Sequence, residues 1–335
     1  MAETGKASRV AVVIPAFRVR DQVVQIIGKI GEEVNAIHVV DDCCPEGSGK
    51  HVVANCKDHR VKVHFHKENR GVGGATLTGY QQALADGATI IVKLDGDGQM
   101  DPALIPMLIR PIEEGSADYT KGNRFYYLED LSQMPYVRLL GNSVLSFMAK
   151  FSTGYWQLFD PTNGFTAIHA AVAARLPFAK LEQRYFFESD LLFRLNTLRA
   201  VVLDIPMSAH YGDEPSSLKI GRTIPEFLTK HARNMGKRIF YNYFLRDFSV
   251  ASIEVVCGLL ALAFGIVFGA SAWLLSIRTG IVASSGTVML AALPTLAGLQ
   301  LLLGFLAADV GNIPKYPVQK LLNRSDHDRQ DTEVR

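Results

Sequence analysis

Two stretches toward the C-terminal end carry no charged side chain: Val255–Ile277, 23 residues, and Gly280–Ala308, 29 residues. About 20 apolar residues cross the hydrocarbon core of a bilayer as a helix, so both are read as membrane spans. Neither shows the polar stripe that core helices of soluble proteins keep. Only Arg278 is charged in the short connection between them, whereas Leu218–Arg246 carries seven Lys/Arg against one acid, Glu226, and Lys315, Lys320 and Arg324 follow the second span. Positive residues stay on the cytoplasmic side. Both termini and the roughly 250 residues ahead of the spans are therefore expected in the cytoplasm, on a multi-pass protein of the inner membrane. The N-terminus has no apolar stretch after a basic region, so no signal peptide is expected.

The remaining sequence is globular in character. With 48% hydrophobic residues and 35 basic against 33 acidic side chains, net charge is +2, which excludes a mainly disordered chain and a dedicated nucleic-acid binder. Cys43, Cys44, Cys56 and Cys257 include no C-x-x-C. Neither a disulfide framework nor a cysteine zinc site is suggested, and a reducing compartment follows. The expected organisation is a globular domain over 1–218, interfacial helices over 219–250, two spans over 251–310 and a cytoplasmic tail over 311–335.

Val10–Ile14 reads as a buried strand ended by Pro15, followed by helical spacing over Gln22–Ile30. Strands over Ala36–Val40, Val61–His66 and Thr89–Leu94 alternate with helices over Gly47–Cys56 and Gly73–Asp86. This rhythm predicts an α/β domain with a parallel sheet, whose ligands bind at the carboxyl ends of the strands. Pro15, Asp41, Asp42 and Asp95 all fall at such ends. Further on, Asp118–Arg124 reads as another strand end, Val137–Phe151 and Phe186–Leu198 as helices, and Phe165–Ile168 and Val201–Ile205 as short strands. Phe227–Phe248 interleaves aromatic residues with His231, Arg233, Lys237, Arg238 and Arg246, the pattern of an interfacial helix whose cations meet lipid phosphates. Ser325–Arg335 is polar and expected to fray.

The sharpest chemical signal is Asp95-Gly96-Asp97 directly after the fourth strand. Two carboxylates on a glycine turn suit Mg²⁺ or Mn²⁺, which take few carboxylates plus substrate phosphate oxygens and neutralise charge as a diphosphate leaves. Arg70-Gly71 opens a helix whose N-terminus favours a diphosphate, and it matches neither a P-loop nor a dinucleotide fingerprint. Lys121 and Arg124 are candidate phosphate partners. Asp160, Glu188 and Asp190 are further acidic candidates; the last two also suit the first turn of a helix without any other role.

These motifs together resemble the family 2 glycosyltransferases, nucleotide-sugar enzymes of the Rossmann-like GT-A fold, over roughly Val10 to Leu218. Val12-Val13-Ile14-Pro15 is similar to the family's first strand, Val39-Val40-Asp41-Asp42 to its second strand end, Asn69-Arg70-Gly71 to the start of its third helix and Asp95-Gly96-Asp97 to its metal motif. Lys121–Arg124, Asp160–Phe165 and Glu188-Ser-Asp190 fall where the family keeps acceptor-side elements. With two C-terminal spans, the chain most resembles the polyprenyl-phosphate group, relatives of dolichyl-phosphate mannose synthase. Two departures touch the base-binding region: Ala16-Phe17-Arg18-Val19 follows Pro15, and Cys43-Cys44-Pro45 follows the paired aspartates. The Gln-x-x-Arg-Trp signature of processive polysaccharide synthases is absent.

The resemblance implies inverting transfer of a hexose from a UDP- or GDP-sugar to a polyprenyl phosphate. Pro15, Ala16, Phe17, Asp41, Asp42, Arg70, Gly71, Asp95, Gly96 and Asp97 would hold the nucleotide sugar, Asp95 and Asp97 the metal, and Lys121 and Arg124 the phosphate or acceptor. Asp160, with Asp190 and Glu188 behind it, would be the acceptor-side carboxylate. A homo-oligomer, dimer or tetramer, is also implied, and Gly258, Gly265 and Gly269 would let spans pack closely. Two other readings stay open at this point: a sugar hydroxyl of a lipid-linked saccharide as acceptor, and a non-catalytic membrane assembly subunit.

Overall fold

The computed structural model describes residues 8–127, 136–208 and 220–322. Leu218, Arg324 and the segment Ser325–Arg335 lie outside the described residues. The chain divides into two compact units: residues up to Met235 together with those from Pro314, and Gly236–Ile313.

The first unit is built on seven strands: β1 (Val10–Ala16), β2 (Val34–Asp41), β3 (Val61–Phe65), β4 (Ile90–Lys93), β5 (Tyr119–Asn123), β6 (Thr166–His169) and β7 (Val202–Pro206). Between them run α1 (Arg20–Ile27), α2 (Ser48–Asn55), α3 (Gly71–Ala85), α4 (Ile105–Glu113), α5 (Tyr136–Thr153) and α6 (Phe187–Thr197). The strands lie in the order β3-β2-β1-β4-β6-β5-β7. The expected wholly parallel sheet is corrected here: β1 to β4 are mutually parallel, as are β5 and β7, but β6 runs antiparallel between β4 and β5. A short, fully buried apolar run reads the same in either direction, so Phe165–Ile168 carried no sign of this reversal.

Pro15 does not end β1, which continues through Ala16. β1 pairs with β4 only as far as Val13, so its last residues have a free flank where a missing N–H is tolerated. Alternation sends Val10, Val12 and Ile14 to one face of the sheet, with Ile26, Leu108 and Ile112, and Ala11 and Val13 to the other, with Tyr80, Leu191 and Leu195. Both faces being covered explains why the strands read as continuous apolar runs. α3 approaches so closely that a Cβ at Gly79 would overlap the Val13 side chain.

α7 (Ile220–Phe240) covers the first part of the segment expected to be interfacial, and some of its residues are taken up by the protein itself. Ahead of Met235, three of its polar residues meet the globular unit while Arg233 stays exposed: Lys230 pairs with Glu182 at 2.8 Å, His231 Nδ1 lies 2.7 Å from Ser152 Oγ, and Asn234 donates to Asp190 at 2.9 Å. Burial pushes the His231 imidazole down to about 4, so it is neutral at physiological pH. The residues after the second span return to the same unit, where the Val318 and Gln319 amides each donate to buried Asp118 at 2.8 Å.

The second unit holds α8 (Val250–Thr279) and α9 (Ser285–Gly311), both long and apolar enough to cross a membrane. They outrun the uncharged stretches and take in Glu254, Arg278 and Asp309. Arg238 forks onto Asp309 at 2.6 and 2.9 Å, with Tyr243 donating to the same carboxylate. The expectation that Arg238 meets lipid phosphate is thereby corrected: its charge is neutralised inside the protein. Gly258 and Gly265 sit against Leu302, Gly298 and Thr295 of α9, and Gly269 against Ala291. Within the chain these small residues serve the close pairing of α8 with α9.

Candidate active site

The carboxyl ends of β1, β2 and β4 form the floor of the site. Pro15 is half-buried, Ala16 is buried and Phe17 exposes its ring. The Ala16 carbonyl accepts the Asp42 amide at 3.1 Å. Asp41 and Asp42 are both buried, and the backbone consumes their carboxylates. Asp41 accepts the Cys44 and Gly49 amides at 2.7 and 2.6 Å at the start of α2. Asp42 accepts the Arg70 and Gly71 amides at 2.8 and 2.7 Å and pairs with His66 at 2.7 Å. The two aspartates thus set the geometry of two helix N-termini, while the Arg70 side chain is exposed above them.

Arg18, Cys43 and Asp160 adopt left-handed backbone angles, with φ of 59°, 55° and 43°. Non-glycine residues hold that conformation only where surrounding structure enforces it. The Arg18 amide donates to Cys44 Sγ at 3.1 Å, tying the turn after β1 to the turn after β2.

Asp95 and Asp97 flank Gly96 on the turn beyond β4, and both are half-buried. Asp97 accepts the Gln99 amide at 3.0 Å. A residue the sequence reading passed over lies beneath them. Lys93, fully buried, donates to Asp95 Oδ1 at 2.7 Å and to Glu188 Oε1 and the Gly164 carbonyl at 3.3 Å each. Burial disfavours its charge, yet Asp95 and Glu188 outweigh that and raise its pKa; burial in turn pushes the Glu188 carboxyl up against the pull of Lys93. A lysine within Ile90–Leu94 was the available signal, since an ammonium is buried only when paired.

The residues expected on the acceptor side form a second block, which meets this turn at Gly164. Arg124 grips buried Asp160 through two bonds of 2.7 Å. Burial opposes ionisation, but Arg124 and Lys121 hold the Asp160 carboxyl below the usual carboxylate range. Lys121 is itself buried. It donates to the Phe159 and Asp160 carbonyls and to Asp204, which also accepts from Asn123 and the Phe159 amide. Lys121 therefore fastens the loop from inside, and Asp204 is a further residue the sequence reading missed, an acid alone in the apolar strand β7.

A Cβ at Gly164 would overlap Asp95 Oδ2 and Lys93 Nζ, which is how the two blocks meet. Gly164→Ala is expected to lower stability by about 1–3 kcal/mol, read as a fall in melting temperature; an unchanged melt would contradict the close packing.

Asp95 and Glu188 are thus brought together on Lys93, with Asp97 two residues along the same turn and Asp160 on the adjoining loop. Asp190 is not part of that cluster. It accepts the Glu182 amide at 3.2 Å and Asn234 at 2.9 Å, and burial raises its pKa. Among the described residues no three His, Cys, Asp or Glu side chains form a full metal cage. Two carboxylates on one partly exposed turn are what Mg²⁺ or Mn²⁺ uses when phosphate oxygens and water complete the shell, so Asp95 and Asp97 fit such an ion.

Residues 11–176 match the family described as Glycosyl transferase family 2. The chain is 26% identical to the polyprenol monophosphomannose synthase of Mycolicibacterium smegmatis over 229 residues, 67% of this chain and 86% of that protein. It is 32% identical over 146 residues to the UDP-N-acetylglucosamine–dolichyl-phosphate N-acetylglucosaminyltransferase of Methanococcus voltae, 44% of this chain and 58% of that one. In fold it resembles glucosyl-3-phosphoglycerate synthase from Mycobacterium tuberculosis, solved with UDP, at 18% identity and a TM-score of 0.50 over 68% of this chain and 80% of the other. The sheet, the aspartate turn and these relatives agree: the chain carries a glycosyl transferase family 2 domain of GT-A fold and is a glycosyltransferase.

Proposed function

We propose that the protein transfers a sugar, with inversion, from a nucleotide-diphosphate sugar to the phosphate of a polyprenyl lipid at the cytoplasmic face of a membrane. The observation that carries this reading is the Asp95–Gly96–Asp97 turn packed against Gly164, with the acceptor-side acids already engaged. Asp160 is clamped by Arg124, Glu188 by Lys93, and Asp190 by Asn234 and the Glu182 amide. Asp160 is held below the usual carboxylate range, and Glu188 and Asp190, although burial raises them, are each committed to a partner that would have to be given up before either could act as a strong base. A sugar hydroxyl would need one, whereas a phosphate monoester, with its second pKa near ~6, arrives largely deprotonated.

In this reading Phe17 and the turns after β1 and β2 receive the base, and the start of α3 with Arg70 and Gly71 faces the diphosphate. Asp41 and Asp42 act by shaping those turns. A divalent ion on Asp95 and Asp97 supplies charge neutralisation for the departing nucleotide. Asp160 orients Arg124 toward the incoming phosphate. Relatives whose names specify polyprenol or dolichyl phosphate support the acceptor class, and the spans keep the protein where such a lipid resides. The return of Val318 and Gln319 to Asp118 supports placing the tail on the side of the catalytic unit, in line with the basic flanks.

The test is incubation of the detergent-solubilised protein with labelled UDP- and GDP-sugars, Mg²⁺ or Mn²⁺, and bare polyprenyl phosphate. A mild-acid-labile glycolipid is expected. Labelling confined to added lipid-linked saccharide would replace this acceptor with a hydroxyl.

A further inference from the structure

The reaction proposed above gives the buried lysine beneath the aspartate turn no part, and its surroundings say what it does. Lys93 occupies a strand end where its neighbours Ile91, Val92 and Leu94 are all fully buried hydrophobics. An apolar side chain would fill that position without the cost of desolvating an ammonium. An ammonium has three N–H donors, and here they meet three acceptors: Asp95 Oδ1, Glu188 Oε1 and the Gly164 carbonyl. Its position is fixed from β4, from α6 and from the loop ahead of β6 together.

The effect falls on Asp95. Oδ1 is held by Lys93, while Oδ2 accepts no hydrogen bond among the described residues and lies against the Cα of Gly164. The carboxylate cannot rotate without breaking the 2.7 Å contact, so its two oxygens have different duties. Two carboxylates, Asp95 and Glu188, contact the one ammonium, and Asp97 follows two residues further along the turn. Taken together the three acids and one lysine carry two net negative charges, equal in size to the charge of one divalent ion.

We propose that Lys93 is a positioning residue for the metal turn: it holds one oxygen of Asp95 so that the other is presented to the divalent cation, and Glu188 anchors it in that pose. This rests on the reading of Asp95 and Asp97 as metal ligands. Partners that orient a metal ligand from outside the coordination shell typically contribute 10–100-fold in affinity.

The experiment measures Mn²⁺ binding directly, by the loss of the free-ion electron paramagnetic resonance signal, on the full-length protein with UDP or GDP present. Thermal melting is followed in parallel. Wild-type protein is expected to bind Mn²⁺ saturably, and Asp97→Ala to lose that site. Lys93→Met is expected to weaken Mn²⁺ by about 10–100-fold and to melt lower, because Glu188 loses its counter-charge. Lys93→Met combined with Glu188→Gln removes the buried pair as a unit. It is expected to regain most of the melting temperature while Mn²⁺ affinity stays low, a separation that a purely structural lysine would not produce.

Wild-type Mn²⁺ affinity in either folded Lys93 variant overturns the positioning role and leaves the metal reading intact. A wild-type protein with no Mn²⁺ site that Asp97→Ala removes overturns both.

Discussion

Asp97→Ala is expected to lower glycosyl transfer by about 10²–10³-fold, the loss typical when a group that stabilises developing transition-state charge is removed. The response to added Mg²⁺ or Mn²⁺ should vanish with it. Asp97 is the cleaner of the two aspartates to change. Removing Asp95 would also strip Lys93 of its nearest counter-charge at 2.7 Å, so a loss there mixes metal binding with the cost of an unpaired buried ammonium. Near-wild-type turnover by Asp97→Ala with metal chelated would remove the electrostatic basis of the proposed reaction.

Asp160→Asn is expected to destabilise the fold by about 3–5 kcal/mol, the range for breaking a buried ion pair from one side. Asp160 is almost wholly buried and takes both Arg124 bonds through its two oxygens. An amide would keep one acceptor and turn its NH₂ toward the guanidinium. The pH dependence has a definite sign. The Asp160 carboxyl is held below its ordinary value in the folded protein, so its stabilisation is complete above the unfolded carboxylate value near ~4. It is lost as pH falls through the lower folded value. Below about pH 4 the wild type should therefore lose stability toward that of Asp160→Asn, and above it the gap should be wide and flat. Urea melts at several pH values read this directly; a gap that widens on acidification would exclude the ion pair as the source.

Much of this arrangement was legible in the residues because it follows from local pattern. Apolar runs ending in Asp41-Asp42 and Asp95 pointed to the carboxyl ends of β2 and β4 as the candidate site, and the structure puts those aspartates at these ends. The alternation of Val10 to Ile14 between two covered faces produced the run that marked β1. What stayed hidden depends on contacts across the chain. The direction of β6 is set by its place between β4 and β5. Whether Asp41 and Asp42 present oxygens to a ligand or spend them on backbone amides depends on how Gly49 and Gly71 fall nearby. The basic-aromatic pattern of Phe227–Phe248 fits a lipid surface and a protein surface equally; His231 and Asn234 meet the protein because Ser152 and Asp190 offer partners there. Lys93 and Asp204 were visible as lone charges in apolar strands, a signal that pairing partners alone can interpret.

The tail beyond the second span bears on how a water-soluble form could be made. Asp118 is fully buried and accepts three amides, one from Val201 and two from Val318 and Gln319, while the Gln319 side chain donates to the Ile112 and Ala117 carbonyls. A stop codon ahead of the first span would strip that carboxylate of two donors and open a seam between α4 and β5. A soluble fragment is better spliced than truncated: Met235 joined to Pro314 through a flexible linker, or the shortened chain supplied with a Pro314–Leu322 peptide in trans.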